Sequence, residues 1–311
     1  MTFRFLPFLL LALSPPTSGQ AITFSFRDFI TLPRSRNLHG ISGMEYIASR
    51  KEWLLAGDRG ALHRYSDLDR LSDWACRPDS VAPTGLFLEA IRYDPVADTH
   101  YFAVENDRES FVGFRRGGLP RPGEGFERLP LPHPMPDPST NKGIEALALT
   151  DRYLWVAPEA GSQEEARPDR TEIHFYRYRK TDAGLTLDGE FAYEIDRNVC
   201  ANEALGGISE IIAVPGDETR LLVLERCYQR PTVTVRLYEV TIDEAARRLV
   251  KRKDRPAFDF NVPGFRPDNL EGMAWGEDEN GRKILYLVSD DNLGKSQWTQ
   301  IIQLEMQPAT P

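Results

Sequence analysis

A short apolar segment that opens on Ser or Glu recurs five times along the chain: Gly40-Ile41-Ser42-Gly43-Met44-Glu45-Tyr46, Leu88-Glu89-Ala90-Ile91-Arg92-Tyr93, Gly143-Ile144-Glu145-Ala146-Leu147-Ala148-Leu149, Gly207-Ile208-Ser209-Glu210-Ile211-Ile212-Ala213 and Leu270-Glu271-Gly272-Met273-Ala274-Trp275. Aligned, these place Ser42, Glu89, Glu145, Ser209 and Glu271 at one position. After a polar turn, each is followed by an apolar strand that ends on an acid: residues 53–57 before Asp58, 101–104 before Glu105, 154–158 before Glu159, 221–224 before Glu225 and 284–289 before Asp290. Breakers such as Asp94-Pro95 and Pro215-Gly216-Asp217 separate the halves, so each pair reads as a β-hairpin. A third strand is expected at 61–65, 110–114, 172–178, 232–240 and 300–304, and a fourth in most units, for example at 126–131 or 187–195.

A repeat of this length decides the architecture. The openings at 42, 89, 145, 209 and 271 lie 47, 56, 64 and 62 residues apart, against ~40–50 residues for a four-stranded propeller blade. The chain is therefore expected to be an all-β propeller of five blades. The longer last intervals leave room either for long loops at 160–170 and 254–268 or for a sixth, degenerate blade. The segment 22–26, upstream of the first copy, is placed to complete the last blade and close the ring, which removes exposed sheet edges. A β-sandwich is the competing arrangement, but it does not require the same acid at the same strand end five times.

In a hairpin, the first residue of one strand and the last residue of the next lie at the same end. If the first strand is innermost, the ring gathers Glu89, Glu145, Glu271, Asp58, Glu105, Glu159, Glu225 and Asp290 at one mouth of the axial channel. So many like charges raise one another's pKa unless they are neutralised. One remedy is a hard cation such as Ca2+, which takes six to eight oxygen ligands. The other is the set of neighbouring bases, Arg59, Arg108, Lys142 and Arg226, which would pair with the acids or grip an anionic substrate. A purely structural role, with acids and arginines holding blades in register, stays open beside these.

Composition adds an address. The first 21 residues carry one charge, Arg4, then an apolar run at 5–13, two prolines and the small-residue exit Gly19-Gln20-Ala21. This is the order of a secretory signal, with cleavage expected after Ala21 and a single domain over 22–311, secreted or periplasmic. Nothing later is apolar for the ~20 residues a membrane span needs. The formal charge of −9 comes with scattered Lys and Arg, which argues against nucleic acid as a partner. Export permits disulfides. Of Cys76, Cys200 and Cys227, the last two fall on loops at the mouth and are expected to pair, leaving Cys76 as a buried thiol.

The motifs Gly40-Ile41-Ser42-Gly43-Met44, Gly143-Ile144-Glu145-Ala146-Leu147, Gly207-Ile208-Ser209-Glu210 with Leu222-Val223-Leu224-Glu225-Arg226, and Asn269-Leu270-Glu271-Gly272-Met273 with Val288-Ser289-Asp290-Asp291-Asn292 together resemble the secreted phytase-like propeller family described by "esterase-like activity of phytase". The resemblance spans nearly the whole chain after the leader, and it implies hydrolysis of a phosphate or related ester outside the cytoplasm. Serine-esterase chemistry lacks its Gly-x-Ser-x-Gly elbow, and no cysteine is followed six residues later by arginine. The five histidines show no zinc spacing; only His39 lies near the mouth, where a packing role outweighs a catalytic one. Two functions are carried forward. One is a monomeric Ca2+-dependent phosphoric ester hydrolase acting on a small phosphorylated or ester substrate. The other is a non-catalytic, calcium-stabilised binding or signalling propeller.

Overall fold

The computed structural model describes residues 21–307 apart from 35–37, 67, 69, 167–169, 197–205, 230–231, 253–254 and 279, together with the side chains of 139, 228 and 229 left aside. The strands begin with β1 (Phe24–Thr31) and then group into four-stranded meanders. The first is β2 (Ile41–Ile47), β3 (Glu52–Gly57), β4 (Ala61–Ser66) and β5 (Ser80–Pro83). The second is β6 (Leu88–Asp94), β7 (Thr99–Glu105), β8 (Ser110–Arg116) and β9 (Glu127–Leu129). The third is β10 (Ile144–Leu149), β11 (Tyr153–Pro158), β12 (Glu172–Thr181) and β13 (Gly184–Glu194). The fourth is β14 (Gly206–Ala213), β15 (Arg220–Gln229), β16 (Thr232–Asp243) and β17 (Arg248–Lys251), with β18 (Phe258–Asp259) against β16. The last is β19 (Asn269–Glu277), β20 (Lys283–Asp290) and β21 (Gln300–Met306), completed by β1.

Chain closure works as expected from the N-terminal strand, with β1 antiparallel to β21, although the strand starts at Phe24 and runs on to Thr31. One feature was not expected: β13 and β17 pair in parallel at their outer edges, joining the third and fourth meanders into a single nine-stranded sheet. The first strands of the meanders neighbour one another in the order β2, β6, β10, β14, β19 and back to β2, which is the ring of a propeller. No helix among the described residues is long and apolar enough to cross a membrane.

Both faces of the second strands are buried, which is why they read as continuous apolar runs rather than as alternating ones. Five hydrophobic clusters among the described residues each lie between two neighbouring sheets, beside a small one of Cys227 and Tyr238. Between the last and first sheets, for example, Trp53, Tyr65 and Trp74 pack with Ile284, Tyr286 and Ile301. Each fully buried side chain of this kind contributes about 1.5–3 kcal/mol.

At the axis, the position that opposes the second strand just below the mouth holds Gly43, Ala90, Ala146, Glu210 and Gly272. Four of the five are small because the inner strands crowd together there. A Cβ on Gly272 would lie 3.0 Å from the backbone N of Met44 in the next sheet. Glu210 is the exception, with no exposure to solvent.

Candidate functional site

The five aligned openings share a local geometry that accounts for the recurrence. In each inner hairpin the register slips once, between Ile41 and Gly43, Leu88 and Ala90, Ile144 and Ala146, Ile208 and Glu210, and Leu270 and Gly272. Ser42, Glu89, Glu145, Ser209 and Glu271 are therefore the extra residues of five β-bulges, a device that re-aims a side chain. On the second strand, one residue beyond the partner of the residue that precedes each bulge, stand Asp58, Glu105, Glu159, Arg226 and Asp290.

This register corrects one expectation. Glu225 opposes Ile208, so the fourth unit places Arg226, not Glu225, where the others place an acid. Because the side-chain period of a strand is two, that one-residue difference turns Glu225 away. Glu225 instead accepts hydrogen bonds from Tyr193 Oη at 2.5 Å and the Asp196 N–H at 2.9 Å, and pairs with the buried Lys251. The other seven acids come together: Glu89 interacts electrostatically with Glu271, Asp58, Glu105 and Asp290, and Glu145 with Glu159, Glu89 and Glu271.

Arg226 neutralises one side of this group. Its guanidinium donates to Glu271 and to Asn269 Oδ1 at 2.5 Å, and lies 3.8 Å from Glu159 and 3.9 Å from Glu145. Burial disfavours its charge, but Glu271, Glu159 and Glu145 override this and raise its pKa. Lys142 Nζ donates to Glu159 at 2.9 Å, and Asn269 Nδ2 to Glu271 at 2.6 Å. Arg226 and Lys142 are thus spent on acids.

The other side has an excess of negative charge. Burial, then Glu271 and Asp58, push Glu89 well above the usual carboxylate range. Burial, then Glu271, raises Asp290 to about 9. Burial raises Glu105 to about 7, although the Gly143 N–H donates to its Oε2 at 2.8 Å, and raises Asp58 to about 6 against the pull of Arg59. Asp58 Oδ1 and Glu105 Oε1 are buried yet accept no hydrogen bond. Gly40 (φ 64) makes room for the first of these, since a Cβ there would fall 1.9 Å from Asp58 Oδ1. Arg59, more than half exposed, reaches Asp58 Oδ1 at 3.4 Å, while the backbone N–H of the exposed Arg108 donates to Asn106 Oδ1. Among the described residues, no three His, Cys, Asp or Glu side chains already converge as a metal centre.

Two neighbours escaped sequence reasoning. Asp291, 3% exposed, accepts from the Gly40 N–H at 3.3 Å and holds His39 Nδ1 at 2.5 Å. Asn269 braces Glu271. The only available signals were the run Asp290-Asp291-Asn292 and the position of His39 just ahead of the first repeat. Cys227 is buried and disulfide-bonded; its expected partner Cys200 lies outside the described residues. Cys76, expected to be buried, is free and exposed because it caps a short 3-10 turn (Leu71–Ala75) on the surface.

A cavity of about 1130 Å³ lies at the opposite end of the inner strands, lined by Glu45, Tyr46, Arg92, Asp94, Lys180 and Trp275 among others. The acidic group and the cavity occupy different mouths of the channel.

Ring, bulges and gathered carboxylates define a β-propeller with an acidic axial mouth. The family described as "Phytase-like: Esterase-like activity of phytase" matches residues 36–293, and the chain belongs to it. Comparison with curated protein sequences gives no match. Among solved structures, the chain is similar to an endo-arabinase from Bacteroides thetaiotaomicron VPI-5482, with TM-score 0.53, 11% identity, and 91% of this chain and 98% of that one covered. It is also similar to the catalytic domain of the Coprinopsis cinerea GH62 alpha-L-arabinofuranosidase, with TM-score 0.52, 12% identity, and 91% and 97% covered. Likeness at such identity concerns the fold.

Proposed function

We propose that this protein is an exported, metal-dependent phosphoric ester hydrolase whose reaction takes place at the acidic mouth. The observation that carries the reading is the less compensated half of the carboxylate group, where the buried Asp58 Oδ1 and Glu105 Oε1 accept no hydrogen bond among the described residues, Arg59 Nε standing 3.4 Å from the former. A hard divalent cation such as Ca2+ suits that donor set, and Asp58, Glu89 and Glu105 are the residues that would hold it. When bound, the ion would screen a phosphate ester and lower the pKa of a coordinated water. Family membership supports the ester.

The chain's own residues do the rest. Arg226 and Lys142 keep Glu271, Glu145 and Glu159 in place, so the predicted ligands on that side serve as scaffold. Burial, then Glu271, raises the Asp290 carboxyl to about 9, which favours its neutral form beside the phosphate. Arg59 is the exposed cation next to the site and is placed to meet the substrate anion. With Arg226 and Lys142 engaged, the mouth suits a simple monoester better than a polyphosphorylated one. The engagement of Arg226 and Lys142 by acids supports the second reading, a calcium-stabilised binding module without turnover.

Melting temperature and phosphate release from p-nitrophenyl phosphate and from phytate, each with Ca2+ and with chelator, test the proposal. Ca2+-dependent release of phosphate is expected. A thermal shift without turnover selects the binding module, and identical melting in chelator removes the metal from both readings.

A further inference from the structure

We infer that His39 is the general base of the acidic mouth, with Asp291 as its positioning residue; this rests on the hydrolase reading given above. The two residues come from opposite ends of the repeat array: His39 precedes β2, and Asp291 follows β20, 252 positions later. Closure of the ring alone brings them together. Asp291 Oδ2 sits 2.5 Å from His39 Nδ1, while its Oδ1 accepts the N–H groups of Gly40 at 3.3 Å and Leu293 at 3.1 Å. The carboxylate, 3% exposed and bonded from three directions, fixes the ring and keeps the proton on Nδ1.

Nε2 is then the basic nitrogen, and it has no hydrogen-bond partner among the described residues, while the side chain keeps 20% of its surface exposed. His39 also stands in the right sector. Asp291 interacts electrostatically with Asp58 and with Asp290, the mouth acids of the first and last units. The turn that carries Asp291 is held in an uncommon conformation, with Asn292 at φ 47 and Leu293 at φ 52. Asp290 Oδ1 caps the Asn292 N–H at 2.8 Å, so the strained turn is braced by the mouth itself.

The step balances with water alone. As the oxygen of a water bonds to phosphorus, Nε2 takes one of its protons. The phosphorus–ester oxygen bond breaks on the far side; the alkoxide that leaves takes a proton from solvent while Nε2 releases its own to solvent, giving neutral imidazole, alcohol and inorganic phosphate.

The test uses the full-length protein, p-nitrophenyl phosphate and Ca2+. His39→Ala is expected to lower kcat about 100-fold with little change in KM, and added imidazole is expected to restore part of it in proportion to concentration. A side chain needed only for packing would not be replaced by free imidazole. Turnover unaffected by H39A, or lost in a folded H39A without any imidazole rescue, overturns the assignment while the hydrolase reading stands. If the wild-type protein releases no phosphate, the hydrolase reading fails and the assignment falls with it. Should H39A not fold, Asp291→Asn serves instead: a lowered kcat with little change in KM supports the pairing, and an unchanged kcat overturns it.

Discussion

Arg92, from the second inner strand, and Glu210, from the fourth, lie 2.9 Å apart across the axis of the ring. The Arg92 guanidinium also donates to the carbonyls of Met44 at 3.0 Å and Ile211 at 2.9 Å, while Glu210 accepts from the N–H groups of Ile211 and Met273. This pair ties four of the five inner strands together between the acidic mouth and the cavity, which Arg92 helps to line.

Removing one partner of this pair should be far worse than removing both. Arg92→Met leaves a carboxylate without exposure or counter-charge and should cost about 3–5 kcal/mol, whereas Arg92→Met with Glu210→Leu should recover most of the loss. Urea unfolding of the two single variants and the double variant measures this. Additive losses would mean that the residues are not coupled.

Arg226 carries the second prediction. Arg226→Met exposes Glu271, Glu159 and Glu145 to one another without their shared cation, and should destabilise the protein by about 3 kcal/mol in chelator. Millimolar Ca2+ should return part of that stability, because a cation is again available to the group. An R226M protein as stable as wild type in chelator would show that the acids neutralise themselves by protonation alone.

Much of the fold was legible because each hairpin repeats the same apolar spacing and the same mouth residues, so five weak signals reinforce one another. Seven of the eight acids named from that alignment do meet. What escaped was set by backbone geometry. Glu225 and Arg226 stand side by side, and a pattern of period two cannot say which faces the axis until the bulge after Ile208 is known. Arg92 and Glu210 read as ordinary strand polar residues, since their partnership spans 118 positions. A clue existed at Glu210, the one large residue at a position otherwise held by Gly43, Ala90, Ala146 and Gly272. His39 and Asp291 meet only through closure of the ring, which no local pattern encodes.

The cysteines offer a separate check on the outer surface. Iodoacetamide added to native, unreduced protein should attach to one site, Cys76, since Cys227 is disulfide-bonded. Intact mass should show one adduct, rising toward three after reduction and denaturation. A native protein that takes none would place Cys76 under cover.

Stability without metal should fall as pH rises, the reverse of ordinary acid denaturation. Asp58, Glu105, Glu210, Glu45 and Asp290 have folded-state pKa values of about 6, 7, 7, 8 and 9, each raised chiefly by burial. In the unfolded chain such groups titrate near 4. Between these limits the folded state holds more protons, so unfolding releases them and stability drops with each pH increment. The contribution is complete below about pH 4 and is lost in stages up to about pH 9. Glu165 works in the opposite direction: although burial opposes it, the His174 hydrogen bond holds it at about 2, so its contribution disappears as pH falls from 4 toward 2. Melting temperatures in chelator should therefore be highest near pH 5 and decline toward pH 9. Ca2+ should flatten that decline, because it competes with protons for Asp58 and Glu105. A melting temperature that climbs with pH in chelator would mean that these carboxyls are ionised and already compensated, which removes the reason for a cation at the mouth.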